Sequence, residues 1–479
     1  MIPILLIIPL AFAILSLLLP RKWTRTIVIP GLILQLGAAL ILCLTIYTEG
    51  PQDYALGDWQ APLGISLLAD GFTVTLLALT ALIAALCAIY ALFFLERYNR
   101  EQFYFWPLFW FLLASLNGIW LAADLFNLYV GLELLGLSAV GMVALTSERP
   151  ALKAALDYLY AALFGSLAYL AGVALIYGAY GTLAIPQLSE MVAGNITTQV
   201  AVALMSVGLL LKTAIFPLHF WLPPAHGGAL APVSALLSAL VVKASFYILA
   251  LIWLDVGALA VTVSAAQLMG ALGAGAILWG SWNAFKTPQV KMLVAYSTVA
   301  QLGYLMMLFP LAIGVSEAAA TMAWQGTILH LLAHAFAKAA MFLSVGTLVL
   351  AIGHGRIADL GGVSQHMPMA LFAFGLSAVS LMGLPPSGGF NAKWLLLQSA
   401  IQSGQWHWFV VIAGGGLLTA AYVFRIFRVS FTETVRHEIQ ATHPMLQLSA
   451  LLLAFIAIGL GFASEWPLRL MDLTGGGTP

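Results

Sequence analysis

The stretch "HLLAHAFAKAAMF", residues 330–342, sets two histidines and a lysine four residues apart in an otherwise apolar run. Steps of four along a helix keep side chains on one stripe, so His330, His334 and Lys338 form a titratable ladder. At ~1.5 Å of rise per residue the ladder spans roughly 12 Å, too far for its ends to touch and short enough for one or two bridging waters. Whether that stripe faces water, lipid or protein decides what it can do.

Composition answers for the surroundings. Of 479 residues, 62% are hydrophobic and 8% charged, the profile of an all-α integral membrane protein. Apolar segments long enough to cross a hydrocarbon layer of ~30 Å recur at 2–20, 27–47, 71–95, 104–122, 125–146, 155–178 and 200–221. They continue at 229–254, 262–284, 290–310, 322–351, 368–400, 408–430 and 445–464, which makes about fourteen transmembrane helices. The first carries its bases after the apolar run and none before it, so it reads as a retained helix and not a cleaved signal peptide.

Of the eighteen lysines and arginines, thirteen fall in loops joining an odd-numbered helix to the next: Arg21, Lys22, Arg25, Arg97, Arg100, Arg149, Lys153, Lys286, Lys291, Arg356, Arg425, Arg428 and Arg436. The even-to-odd loops carry acids instead, among them Glu49, Asp53, Asp58, Asp70, Glu190, Asp255 and Glu317. The positive-inside rule then places the basic loops in the cytoplasm and both termini on the extracytoplasmic side of the cell's inner (plasma) membrane.

Several function classes drop out. A net charge of zero argues against a nucleic-acid partner. Cys43 and Cys87 fall in apolar spans and make neither a disulfide framework nor a metal-ligand spacing. Cofactors are not expected, because there is no Rossmann glycine pattern, phosphate loop, cysteine set for an iron–sulfur cluster or paired-histidine helix for haems. The sequon "NIT" at 195 is discounted as a chance match.

Setting aside the loop bases and Arg469 leaves Lys212, Lys243, Lys338 and Lys393 inside apolar segments, with one deep carboxylate, Glu133. Each central charge opposes insertion by about 2.5–3.5 kcal/mol unless it faces a hydrated interior or a partner. The bland alternative is structural: lysines snorkelling to an interface, or fixed ion pairs holding helices in register. Snorkelling fails for Lys212 in "SVGLLLKTAIF" and Lys243 in "SALLSALVVKASFYILA", each with apolar residues on both sides. Buried lysines can release and regain a proton, which suits a relay. Glu133, near the middle of the fifth helix, needs a basic partner, and Lys212 is the one expected.

Two stretches combine a lysine with helix breakers. "LLLKTAIFPLHFWLPPAHGGALAP" has Lys212 five residues before Pro217, then Pro223, Pro224 and two glycines. "LMGLPPSGGFNAKWLLL" has Pro385, Pro386, Gly388 and Gly389 just before Lys393. Either these are ordinary loop ends, or helices seven and twelve are broken within the membrane. The second reading gives two inverted five-helix repeats, helices four to eight and nine to thirteen, each with a break on its fourth member. The expected divisions are 1–103 for helices one to three, 104–254 and 255–430 for the repeats, and 431–479 for helix fourteen and the tail. On this registry the eleventh helix lies between the two broken elements and bridges them laterally.

Ser297, Thr298 and Gln301 on the tenth helix either return hydrogen bonds to their own backbone or line a water path. Tyr158, Tyr160 and Trp221 read as interface anchors. His219, His226, His354, His366 and His443 fall near loop ends and read as solvated, with a minor proton-entry role kept for His219 and His226 beside the first break.

The set of Glu133 on the fifth helix, Lys212 and Lys243 on the seventh and eighth, His330, His334 and Lys338 on the eleventh and Lys393 on the broken twelfth resembles, in order and spacing, the antiporter-like family shared by Mrp multisubunit cation/proton antiporters and the proton-pumping membrane arm of respiratory complex I. The resemblance covers nearly the whole chain. It implies a hydrated, roughly membrane-parallel proton path, with Glu133 and Lys212 as a coupling pair, Lys243 and the eleventh helix as carriers, and Lys393 as the terminal group exchanging with bulk. Within the family, "YALGDWQAPLGISLLADGFTVTLLALTA" at 54–81 is most similar to the D-type component of Mrp antiporters. With little chain after the fourteenth helix, the long lateral C-terminal helix of the largest complex I homologue is not expected.

The function implied is a proton-translocating subunit exchanging H⁺ for Na⁺ or another cation, alongside other membrane subunits of a hetero-oligomer. Two alternatives stay open: an energy-coupling subunit of a redox complex such as NADH:quinone oxidoreductase or a membrane-bound hydrogenase, and a scaffold with frozen ion pairs. No residue implies a covalent intermediate, so the chain would count as an enzyme only as part of a redox complex. Sodium needs convergent oxygen ligands, and beyond Glu133, Asp124 and a few hydroxyls the interior offers few.

Overall fold

A computed structural model describes residues 1–59, 61, 64–433 and 439–471; Arg436 and the last residues of the tail lie outside the described residues. The chain is a helical integral membrane protein. Its principal helices are α1 (Ile4–Leu18), α2 (Thr24–Glu49), α3 (Gly71–Phe94), α4 (Asn99–Leu121), α5 (Leu125–Val143), α6 (Arg149–Tyr180), α7 (Ile196–Thr213) and α8 (Ala231–Val256). They continue as α9 (Val263–Lys286), α10 (Val290–Ala312), α11 (Glu317–Ile352), α12 (Pro368–Met382), α13 (Gly388–Gln402), α14 (Trp406–Ser430) and α15 (Pro444–Gly459).

Among the described residues eleven of these, α2 to α11 and α14, are long and apolar enough to cross a membrane by themselves, against about fourteen expected. The shortfall has a simple origin. Helices α1, α12 and α15 have 15, 15 and 16 residues, and the expected twelfth segment is divided into α12 and α13 by the Pro/Gly cluster. The seventh likewise stops at Thr213, well short of residue 221.

Polar caps start the helices where the pattern turns apolar. Asp70 and Thr73 form a reciprocal capping box at α3, Asp124 accepts from the Phe126 and Asn127 amides at α5, and Ser387 accepts from the Phe390 amide at α13. The sequon residue Asn195 belongs to this set: its side chain accepts from the Thr198 amide at 3.0 Å. Between α2 and α3 a short antiparallel hairpin, β1 (Gln52–Ala55) with β2 (Ser66–Ala69), is the one sheet among the described residues. It was not foreseen, since strands of four residues leave little alternation to read.

Burial sorts the helices. Of their apolar stretches, 94% of α8 and 89% of both α10 and α11 lie inside the protein, against 39% of α9 and 33% of α14. The innermost helices are thus the ones bearing Lys243 and the ladder. Helix α11 packs mainly on α12, α13 and α15 and on α8 and α10. It meets the second broken element directly, whereas α8 stands between it and α7. The expected bridge between two breaks therefore has α8 as an additional member.

Candidate functional site

At the first break, Ala214 adopts a left-handed conformation (φ 58°, ψ 44°) and ends α7, and Pro217 cannot donate to continue it. The carbonyls left behind must be satisfied inside the membrane. The Ile215 amide donates to Leu210 O at 3.1 Å and the Trp221 indole donates to Leu211 O at 2.9 Å. Trp221 is buried and stacks on Tyr158, with centroids 4.1 Å apart and planes 5° apart. Neither is an interface anchor; both belong to the seat of the break, because the chain after Pro217 folds back against α6. Tyr160 is exposed, as an anchor would be.

Lys212 occupies the last turn of α7, where the helix dipole favours a cation. Its Nζ lies 3.6 Å from Glu133 Oε1 on α5. Ser166 of α6 donates to the same carboxylate oxygen. The lysine side chain is 7% exposed and the glutamate 26%, so the pair sits at the edge of the interior, where local hydration can weaken it. Gly165 makes this possible: a Cβ there would meet Gly208 O at 2.8 Å and Lys212 Cγ at 3.0 Å. Beside Lys212, a void of about 20 Å³ lined by Tyr158, Val241 and Ser245, among others, has room for about one water. Ser245 accepts from Thr213 at 3.0 Å and ties α7 to α8 there.

Lys243 follows a π-helical turn, Leu237–Val241, within α8. Such turns loosen the regular ladder of backbone bonds and are frequent at functional sites. The lysine donates to Ser238 O, and the Ser238 and Thr298 hydroxyls are 2.9 Å apart, which carries polar contact from α8 to α10. Lys338 and His334 stand on α11, which packs against this part of α8.

On α11, Lys338 donates to Val294 O at 3.0 Å and to the Ser297 hydroxyl. His330 Nε2 lies 3.1 Å from Gln301 O, and its ring is nearly parallel to that of His334 at 5.7 Å. Both nitrogens of His334 are buried without a hydrogen-bond partner. Ser297 and Thr298 return hydrogen bonds to Val294 O at 2.9 and 3.1 Å while also meeting Lys338 and Ser238. The backbone hydrogen bonds of the first sequence reading are thus present for both hydroxyls.

At the second break α12 ends on Gly383 in the left-handed region (φ 82°, ψ 44°). Lys393, one and a half turns into α13, reaches back to donate to Leu381 O at 2.7 Å, with Met382 O at 3.4 Å. Its Nζ also lies 4.1 Å from the centre of the Tyr304 ring. The two breaks differ in where the charge sits: Lys212 is on the helix that ends, Lys393 on the one that begins.

Glu133 and Lys212 thus form one group; His330, His334 and Lys338 form another, with Lys393 beside Tyr304, which itself packs against His330 at 5.2 Å. Lys243 stands between the groups. Asp124 stays apart from both as the cap of α5. Among the described residues no group of three His, Cys, Asp or Glu side chains could hold a metal ion.

Beyond Tyr158 and Trp221, two further sequence assignments change. His226 is not solvated: it is completely buried on the short helix Leu222–Gly228, stacked on Phe342 at 4.7 Å, with both ring nitrogens unpartnered. Lys291, counted among the loop bases, turns inward and donates to Ala229 O at the end of that same short helix. Both errors arise because the segment after the first break folds back into the protein. Tyr304 was missed altogether; one aromatic among many in an apolar span carries no signal of its own.

Residues 122–419 match the family described as "NADH:quinone oxidoreductase/Mrp antiporter, TM". The chain is 35% identical to the N-type component of the NADH-quinone oxidoreductase of Desulforudis audaxviator, over 90% of this chain and 86% of that protein. It is 30% identical to the D-type component of the Na⁺/H⁺ antiporter of Alkalihalophilus pseudofirmus, over 90% of this chain and 87% of that protein. A solved chain of the Mrp complex from Dietzia sp. DQ12-45-1b shares the fold, with a TM-score of 0.88 over 98% of this chain and 96% of that one, at 24% identity.

Proposed function

Because this chain belongs to the NADH:quinone oxidoreductase/Mrp antiporter transmembrane family, we propose that it is a proton-translocating subunit of a multisubunit membrane complex, exchanging H⁺ for Na⁺ or another monovalent cation. The path runs from Glu133 and Lys212 through Lys243 to Lys338, His334 and His330, and on to Lys393. The observation that carries the reading is the Lys212–Glu133 pair, 3.6 Å apart at the end of a helix that stops at Thr213. Paired, the two charges hold each other; when water enters beside them the attraction falls and Lys212 is free to pass a proton toward α8. The void next to Lys212 gives such water a place to start.

The two five-helix units, 104–254 and 255–430, are then inverted repeats, with 1–103 and 431–479 flanking them. Both termini lie on the extracytoplasmic side of the plasma membrane, which the distribution of loop bases supports. The interior offers few oxygen ligands to a sodium ion, so the cation crosses elsewhere in the complex.

A second reading keeps the same path but drives it by electron transfer in partner proteins; the 35% identity to a component of a quinone oxidoreductase favours it. Purification in mild detergent with mass spectrometry separates the two. Small membrane subunits alone mean a cation/proton antiporter, and flavin or iron–sulfur proteins mean a redox-driven pump. The path itself is tested with Glu133→Ala and Lys212→Ala in the reconstituted complex. Both are expected to assemble normally and lose proton movement, and wild-type rates in both would end the proposal.

A further inference from the structure

The ladder on α11 is weakest at its middle rung. His334 is 1% exposed and neither of its ring nitrogens has a hydrogen-bond partner. A second connection runs beside it on α10 and α14. Lys338 donates to Ser297. One turn further along α10, Gln301 offers its backbone carbonyl to His330 at 3.1 Å and its side-chain amide to Thr419 of α14 at 3.2 Å. Three residues beyond Thr419, and so on the same face of α14, Tyr422 places a fully buried hydroxyl close to Ser297, Gln301 and Thr419. That hydroxyl makes no well-formed hydrogen bond with any of them, and Gln301 Oε1 beside it is also buried and unpaired.

A buried polar atom without a partner costs about 1–3 kcal/mol. Ordered water removes that cost where two to four polar groups converge on one place. Here four do: the Ser297, Thr419 and Tyr422 hydroxyls and the Gln301 amide oxygen. We propose that these side chains hold a hydration site that joins Lys338 to His330 and lets a proton pass without using His334. The inference rests on the reading of α11 as part of a proton path. The ammonium of Lys338 gives up one proton, each hydroxyl and water releases one as it accepts one, and the unpaired Nδ1 of His330 takes one. Nothing is oxidised or reduced, and Lys338 is restored by the next proton arriving through Lys243.

The test is a double-mutant cycle in the intact complex, reconstituted in vesicles, with proton movement as the readout. His334→Gln and Tyr422→Phe are each expected to keep roughly half or more of the wild-type rate, so that independent effects would leave about a quarter, while the double variant falls by more than about tenfold. A merely structural role for Tyr422 leaves the two effects independent, so a double variant at the product of the single rates overturns the proposal. Loss of all transport in His334→Gln alone also overturns it. Thr419→Val, which removes another hydroxyl of the same site, repeats the cycle should Tyr422→Phe not assemble. Lys338→Ala keeps the outcomes distinct: if it abolishes transport while the cycle is additive, only the hydration site fails, and if it pumps at the wild-type rate, the path through α11 fails with it.

Discussion

Lys393 crosses the second break backwards: its Nζ donates to Leu381 O at 2.7 Å, so the charge proposed to exchange protons also satisfies the backbone of the helix that stops before it. A carbonyl at that depth has few other donors to turn to. Proton release from Lys393 and the geometry of the break are therefore linked, since a neutral amine donates more weakly than an ammonium.

Lys393→Met removes that donor while keeping the length of the side chain. The thermal stability of the purified complex is expected to fall by about 1–3 kcal/mol, the cost of an unsatisfied buried carbonyl, together with loss of proton transport. Lys393→Arg should recover the stability and not the transport, because a guanidinium does not give up its proton. Unchanged stability in the Met variant would show that the contact with Leu381 contributes nothing.

Trp221→Phe keeps an aromatic ring over Tyr158 and deletes the indole donor to Leu211 O. A loss of about 1–3 kcal/mol is expected from the orphaned carbonyl, read as a lower melting temperature of the complex. An interface anchor would tolerate the change, so an unaltered melting curve counts against the capping role.

Gly165→Ala would press a methyl group against Gly208 O and the stem of Lys212. Forcing α6 and α7 apart is expected to cost about 1–3 kcal/mol. It should also reduce transport more than it reduces assembly, because Ser166 and Lys212 both reach Glu133 across that contact. Equal losses in both measurements would leave the glycine with a packing role only.

Asp70 caps α3, and burial raises its carboxyl above the usual range despite the hydrogen bonds from Thr73 and Phe72. The folded state then holds the proton more tightly than the unfolded state. Stability from this group is gained as the pH falls through the folded value and lost as it rises from the ordinary carboxylate range to that value. Asp70→Asn keeps a capping oxygen and should remove this slope, gaining relative to wild type as the pH is raised to neutral. Asp70→Ala removes the slope as well but also the cap, so it should lie about 1 kcal/mol below Asp70→Asn at any pH. Melting curves from acid to neutral pH decide between these outcomes.

The membrane class, the positions of most helices and both breaks were legible in the sequence, because hydrophobicity, segment length and proline act locally and leave a one-dimensional trace. The ionisable residues stood out for the same reason: a lysine such as Lys212 or Lys243 amid apolar neighbours is too costly to be incidental. What each one touches was decided only by packing. Periodicity gives the face of a helix but not the neighbour it meets, so the contacts of Lys243 with Ser238, Lys338 with Ser297 and Trp221 with Leu211 had no signature in the chain. The same holds for His226, which local composition placed in a loop and the fold-back after Ala214 carried inside, and for Lys291, which meets the end of that fold-back at Ala229 O. Backbone carbonyls left by a break must find donors, and which side chains supply them depends on elements far apart in sequence that only the folded bundle brings together.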